Sequence, residues 1–124
     1  MLKLNDPGLL ADRCLIGGEW CAADDGATLA VTNPATGAVL ARVPKMGHAE
    51  TRRALEAAEA AWPAWRRRTA KERAVILRRW FDLVTAHADD LAVILTAEQG
   101  KPLAEAKGEI LYGASYLEWF AEEA

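Results

Sequence analysis

The hydrophobic pattern of the chain changes once, at about residue 48, and this change constrains the fold more than any other feature. Before that point, short runs of β-branched and apolar residues are separated by turn residues, which predicts about four short antiparallel strands. Gly17-Gly18 and Asp24-Asp25-Gly26 mark two of the turns, because glycine readily adopts the positive φ of tight turns. We therefore expect a β-hairpin region over residues 1–47 and a helical region over residues 48–124.

After residue 48 the apolar residues recur every three or four positions, which predicts about four helices. Pro63 lies within the first helix and is expected to end or kink it. The second helix begins at the capping box Thr69-Ala70-Lys71-Glu72, in which a hydroxyl precedes a carboxylate by three residues. The third helix begins near Asp89 and stops at Gly100. Pro102 suits the first turn of the fourth helix, where the missing N–H costs nothing.

The helical region has more apolar surface than it can cover by itself. The fourth helix is apolar on more than one face, which is typical of a helix buried on several sides. It also keeps Gly108 and Gly113, each costing ~1 kcal/mol relative to alanine, so we expect a neighbour close against it. Because no second layer is evident, we expect the chain alone to aggregate or to be partly molten. The 124 residues include five tryptophans: Trp20, Trp62, Trp65, Trp80 and Trp119.

The charge and hydropathy of the chain exclude several classes of function. A net charge of −3 and a pI of about 5.4 argue against nucleic-acid binding, which requires a basic surface. We interpret the basic residues of Arg66–Arg79 as a solvated helix face, partly paired with Glu72 and Asp82. No apolar run approaches the ~20 residues of a membrane helix. The first ten residues lack the apolar region of a signal peptide, so we expect a cytoplasmic protein that binds no membrane.

The residues alone indicate no catalytic motif. Neither a glycine-rich phosphate loop nor a nucleophile elbow occurs. We interpret Cys14 and Cys21 as ordinary thiols in or near strands, although their spacing also allows a disulfide. Glu98 lies at the end of the third helix, where the helix dipole opposes a carboxylate. Lys101 or a bound cation could compensate, and the residues alone favour Lys101.

Several short motifs occur in an order that is more specific than any one of them. Together they resemble the N-terminal segment of the NAD(P)-dependent aldehyde dehydrogenase superfamily. The resemblance extends from about Leu4 to Ala124, and its C-terminal part is most similar to the succinate-semialdehyde dehydrogenase branch. The motifs that carry it are Gly17–Trp20, Thr32–Gly37, Trp62–Trp65, Glu98–Ile110 and Tyr116–Glu123.

The resemblance implies an α/β parent protein with a Rossmann-like cofactor domain. The hairpins would lie at the periphery of that domain, and the helices would pack on a parallel sheet formed by later sequence. Family members are several times longer, and their catalytic cysteine, general-base glutamate, oxyanion-hole asparagine and cofactor-binding glycines match nothing in this chain. We therefore expect no catalytic and no cofactor-binding residue here, and no activity from the 124 residues alone.

The resemblance also implies roles for a few residues. Some family members hold a structural cation at positions that match Val31, Thr32 and Glu98. The fourth helix approaches the substrate tunnel in the family, and Gly108 and Tyr112 would be the residues nearest to it.

Two functions from different classes follow. The first is an N-terminal fragment of an enzyme that oxidises succinate semialdehyde to the acid with NAD or NADP. Its partners would be the remainder of the parent polypeptide, the aldehyde and further copies in a homo-oligomer. The alternative is a free-standing α+β interaction module whose exposed aromatic residues form the partner surface.

Overall fold

The computed structural model describes residues 2–124 and divides the chain into two compact units. The hairpin unit comprises Leu10–Arg67. The helical unit comprises the residues up to Leu9 together with Arg68–Ala124. In the part of the chain so described, no helix has the length and apolar content needed to cross a membrane.

The hairpin unit contains the strands that the turn residues predict. They form two separate antiparallel pairs, β1 with β2 and β3 with β4, and a register shift interrupts the second pair between Val31 and Thr32. The prediction of short antiparallel hairpins is confirmed. The strand bounds are β1 Cys14–Ile16, β2 Glu19–Cys21, β3 Thr28–Thr32 and β4 Val39–Pro44.

The two hairpin turns form for different chemical reasons. Gly17 and Gly18 both have positive φ, 60° and 89°, which is the conformation of a two-residue turn that follows the strand twist. In the other hairpin, the Asn33 side-chain oxygen accepts hydrogen bonds from the backbone N–H groups of Ala35 and Thr36, at 2.9 and 3.2 Å. An asparagine side chain used in this way imitates a backbone turn.

The first helix, α1 (His48–Arg66), begins where the hydrophobic pattern changes. Pro63 does not end this helix, because the helix continues for three further residues, and the alternative that Pro63 kinks it stays a prediction. Pro63 lies in the last turn, where its missing N–H removes one hydrogen bond near the helix end. The helix then stops within one turn.

The helical unit contains α2 (Ala70–Ala86), α3 (Ala88–Gln99) and α4 (Leu103–Glu122). The capping box at the start of α2 is confirmed: the Glu72 carboxylate accepts from the Thr69 N–H at 2.7 Å, and the Thr69 hydroxyl accepts from the Glu72 N–H at 3.3 Å. Gly100 ends α3 with a φ of 82° and donates its N–H to the Thr96 carbonyl at 2.8 Å.

Alanines form the buried part of the helical unit. Ala92, Ala106 and Ala114 are 1%, 0% and 1% exposed, and α4 packs against both α2 and α3. Small side chains allow helix backbones to approach closely, but each contributes little buried apolar area. Among residues 2–124, no large side chain is fully buried, and Trp80 and Trp119 remain more than half exposed.

Candidate functional site

The face of α4 that points away from the alanine contacts is aromatic and open. It borders a groove of about 640 Å³. The side chains that supply most of this surface are 50–63% exposed, although aromatic rings of this size are usually buried. We call these four residues the aromatic face: Tyr112, Tyr116, Trp119 and Phe120.

Two tyrosines within the aromatic face interact directly. The hydroxyl oxygens of Tyr112 and Tyr116 are 2.6 Å apart, and their rings meet edge to face with centroids 5.2 Å apart. The hydrogen bond to Tyr112 raises the pKa of Tyr116 above its ordinary value. When one hydroxyl donates to the other, the second keeps its own O–H available as a donor. The pair can therefore donate a hydrogen bond to an acceptor.

Among residues 2–124, no neighbour requires the two glycines of α4. A Cβ placed on Gly108 or on Gly113 would meet no atom within 4 Å. No close neighbour of either glycine therefore lies among the described residues, and the expectation that later sequence packs against this helix stays a prediction. Gly108 lies one turn before Tyr112 on the same helix, so the two residues of the predicted tunnel share one stretch of α4.

The residues of the predicted cation site lie on different elements. Val31 and Thr32 end β3 in the hairpin unit, and Glu98 lies in the last turn of α3 in the helical unit. Over residues 2–124, no three His, Cys, Asp or Glu side chains come together in a group that could hold a metal ion. The predicted site relies mainly on backbone carbonyls, so it stays a prediction.

Lys101 is not the counterion of Glu98. Its ammonium group forms an ion pair with Glu109 on α4. Lys101 follows the Gly100 turn, where the chain leaves α3 and enters α4, and this brings it to the first turns of the next helix. Glu98 is exposed to solvent instead, which reduces the cost of its position at the helix C-terminus.

Two arginines of the basic run form internal contacts, whereas its other basic residues are exposed, as expected of a solvated face. Arg78 donates to Glu118 at 2.9 Å and also pairs with Glu122, so it joins α2 to α4, and its guanidinium lies 5.2 Å from the ring centre of Phe81. Arg73 donates to the carbonyls of Arg68 and Ala124 at 2.8 and 3.0 Å. Glu72, one of the two predicted partners, has its pKa lowered by its hydrogen bonds with Thr69 and in smaller part by Arg68. The partners of Arg78 lie 40 and 44 positions away, so a local charge pattern does not identify them.

Glu50 is a buried carboxylate that sequence reasoning missed. It is 6% exposed and accepts hydrogen bonds from the backbone N–H groups of Asp24 at 2.9 Å and Gly47 at 3.0 Å. These amides lower the pKa of Glu50 below its ordinary value. Arg53 binds Asp24 with both guanidinium nitrogens, at 2.6 and 2.8 Å, so the loop before β3 is tied to α1 twice. The sequence signal that could have identified this contact is a glutamate three residues after the helix N-cap, Gly47.

Asp90 has the same role in the helical unit. It is 4% exposed, and its carboxylate accepts from the N–H groups of Asn5 and Asp6 at 2.9 and 2.8 Å and from the Asn5 side chain at 3.0 Å. These backbone donors lower the pKa of Asp90. The sequence indicates only an acid at a helix start. The contact fixes the N-terminal segment to α3 and points to no chemistry.

Two of the pockets carry carboxylates that do not suit the pyrophosphate of a dinucleotide. A pyrophosphate needs backbone N–H groups or free cations. The groove beside the aromatic face includes Glu118 and Glu122, and the pocket at the start of α1 includes Asp24, Asp25 and Glu50. Their carboxylates would repel a phosphate. We therefore derive no cofactor step from this chain.

The architecture, two hairpins followed by four helices, is found in known enzymes. Residues 20–124 match the model of the aldehyde dehydrogenase family. The chain belongs to this family, and its fold is that of a part of an aldehyde dehydrogenase.

Two relatives and one solved structure are similar to this chain over nearly its whole length. The chain is 63% identical to a glutarate-semialdehyde dehydrogenase of Pseudomonas putida over 99% of this chain and 26% of that protein. It is 62% identical to a succinate-semialdehyde dehydrogenase [NADP(+)] of Escherichia coli over 98% and 25%. The crystal structure of a succinate-semialdehyde dehydrogenase from Burkholderia pseudomallei superposes with a TM-score of 0.94 at 69% identity, over 97% and 25%. The chain thus spans about a quarter of the length of these relatives.

Proposed function

We propose that the chain is the N-terminal scaffold of an NAD(P)-dependent enzyme that oxidises succinate semialdehyde to the carboxylic acid. The observation that carries the proposal is identity above 60%, over nearly the whole chain, to dehydrogenases of short semialdehydes. Glutarate semialdehyde is the competing substrate, because relatives of both kinds are equally similar to this chain.

The role within the reaction is structural. Neither Cys14 nor Cys21 is in a nucleophile motif, and both lie in the β1–β2 hairpin. When bound, NAD or NADP would accept a hydride from the substrate, and residues outside these 124 would hold it. Residues of this chain order its own elements: Glu50 fixes the loop before β3, and Arg78 fixes α2 against α4.

The proposed partner of the aromatic face is the remaining three quarters of the same subunit. The side chains of the aromatic face are exposed in this chain, and relatives that are four times as long contain the same fold. Further copies in a homo-oligomer and a cytoplasmic location stay predictions. An independent interaction module would instead need to be stable and monomeric with this face exposed.

Two smaller assignments complete the proposal. Gly108 and Tyr112 would border the substrate tunnel, which gives a reason for a helical glycine that has open space beside it. Carbonyls of Val31 and Thr32, with the carboxylate of Glu98, would hold a structural cation.

A chimera tests the proposal. This chain replaces the matching segment of the E. coli relative, and oxidation of succinate and glutarate semialdehyde is measured with NAD and with NADP. We expect turnover comparable to that of the E. coli enzyme. The ratio of kcat/KM for the two aldehydes, compared with the unmodified enzyme, measures what this chain contributes to selectivity.

The controls are the 124-residue chain alone and the E. coli remainder alone, for which we expect no turnover. A folded chimera that binds cofactor but oxidises neither aldehyde would contradict the proposal, as would turnover by the chain alone.

A further inference from the structure

The β1–β2 hairpin contains both cysteines of the chain, directly opposite each other. The strand register pairs Cys14 with Cys21, and both thiols are free and half-buried. We propose that these residues are a reversible dithiol–disulfide site, oxidised within one hairpin by small disulfides of the glutathione type.

The turn determines this pairing. The two-residue Gly17-Gly18 turn makes Ile16 and Glu19 the first opposed pair, and Cys14 and Cys21 are the third. Directly opposed residues of an antiparallel pair project from the same face of the sheet. Opposed Cα atoms of antiparallel strands are generally ~4.5–5.5 Å apart, which lies inside the ~4.4–6.8 Å range of disulfides.

The position of the pair also makes the bond easy to reduce. Opposed pairs alternate between hydrogen-bonded and non-hydrogen-bonded types, beginning with a hydrogen-bonded pair at a two-residue turn. The third pair is therefore hydrogen-bonded, with Cβ atoms farther apart than a relaxed disulfide prefers. Strained and accessible disulfides are the ones that are readily reduced.

One face of the hairpin is open to solvent. Leu15 and Trp20, which form the middle pair, are 58% and 56% exposed, and each strand has three residues. A cross-link between the strands would therefore restrict the motion of this hairpin more than it would restrict a segment with a buried core.

The chemistry is two thiol–disulfide exchanges. One cysteine thiolate attacks a sulfur of oxidised glutathione, forms a mixed disulfide and releases one glutathione thiol. The second cysteine thiolate attacks the protein sulfur of that mixed disulfide and releases the second glutathione. The two cysteines lose two electrons and two protons in total, and oxidised glutathione is reduced to two thiols.

The experiment uses the full chain in a glutathione redox buffer, with thiols blocked by N-ethylmaleimide and the products read by intact mass. The matched control carries Cys21→Ser with Trp20→Cys, which places the second thiol on the opposite face of β2 at nearly the same chain separation. Under native conditions we expect the intramolecular disulfide to be several-fold more populated in the natural pair. Excess dithiothreitol should remove it completely.

The same two proteins are also measured in concentrated guanidinium, where the difference should vanish because only chain separation then matters. Equal oxidation of both proteins under native conditions would overturn the proposal. So would a natural pair that yields only glutathione adducts or disulfides between chains.

Discussion

The helical unit buries alanines between helices, whereas the hairpin unit buries little besides Ala23, Pro44 and the carboxylate of Glu50. In the helical unit, α4 meets α2 and α3 through Ala106, Ala114 and Ala121. In the hairpin unit, charged side chains bind the loop before β3. The first unit therefore depends on close helix contact, and the second depends on hydrogen bonds to backbone.

The contrast shows how a segment of a larger enzyme can be ordered without a core of large side chains. Each unit fixes its backbone locally, and both leave large apolar side chains exposed. That division suits a scaffold onto which the rest of a subunit packs.

Enlarging a buried alanine should give the largest effect. Ala106→Leu adds three carbons where the side chain is 0% exposed, so we expect a loss of about 1–3 kcal/mol in unfolding free energy from overpacking. Urea unfolding followed by far-UV circular dichroism measures it. Ala104→Leu, an exposed position on the same helix, is the control and should change little. Equal effects at both positions would contradict the close-contact interpretation.

Removing the charge of Glu50 tests the hairpin unit. Glu50→Gln keeps the shape but weakens the bonds from the Asp24 and Gly47 amides, so we expect a clearly lower melting temperature at neutral pH. Glu56→Gln on the exposed side of α1 is the matched control.

The pH dependence of the Glu50 effect has a definite sign. Because the pKa of Glu50 is lowered in the folded chain, its stabilisation is present above the ordinary pKa of 4.5 and is lost as the pH falls through the lower folded value. The difference between Glu50→Gln and the natural chain should therefore shrink in acid. A difference that grows there would contradict the assignment.

Asp90→Asn should have a smaller and local effect. The Asn5 and Asp6 amides lose a charged acceptor, so their hydrogen exchange should become faster while the centres of α2 and α4 keep their protection. Asp89→Asn is the neighbouring control, because Asp89 is an exposed partner of Lys107. Loss of protection throughout the helices would mean that Asp90 stabilises the whole unit.

Gly108→Ala should give the smallest change, and it should differ between the free chain and the chimera. The free chain has open space there, so alanine should stabilise it by up to ~1 kcal/mol. In the chimera we expect a lower kcat/KM for succinate semialdehyde, since the added methyl would enter the proposed tunnel. Gly113→Ala should stabilise the chain equally and leave activity unchanged. Identical kinetics for both variants would remove Gly108 from the tunnel.

Local signals in the sequence predicted much of the fold. The capping box of α2 depends on Thr69 and Glu72, which are three residues apart. The β1–β2 turn depends on Gly17-Gly18. Residues close together in the sequence therefore determine both features. The extension of α1 beyond Pro63 was not predicted, because the effect of a proline depends on its distance from the helix end.

Contacts between distant residues could not be predicted. Asp90 binds residues 84 and 85 positions away, and Arg78 binds α4 rather than its own helix. The residues of the tunnel and cation sites were inferred from resemblance alone. Hydrophobic periodicity predicts helices and strands, but it does not identify the ligands or neighbours of a site. A charge or a glycine shows where a partner is needed, but it does not identify that partner.

Complementation in trans tests most directly whether the aromatic face is a packing surface of a larger subunit. The 124-residue chain is titrated into the E. coli remainder, and NADP-dependent oxidation of succinate semialdehyde is measured. We expect activity that rises and saturates with the chain, and that falls strongly when Trp119 and Phe120 are both replaced by serine. Equal activity for that double variant, or no activity at any ratio from a remainder that is active in the chimera, would contradict the central claim.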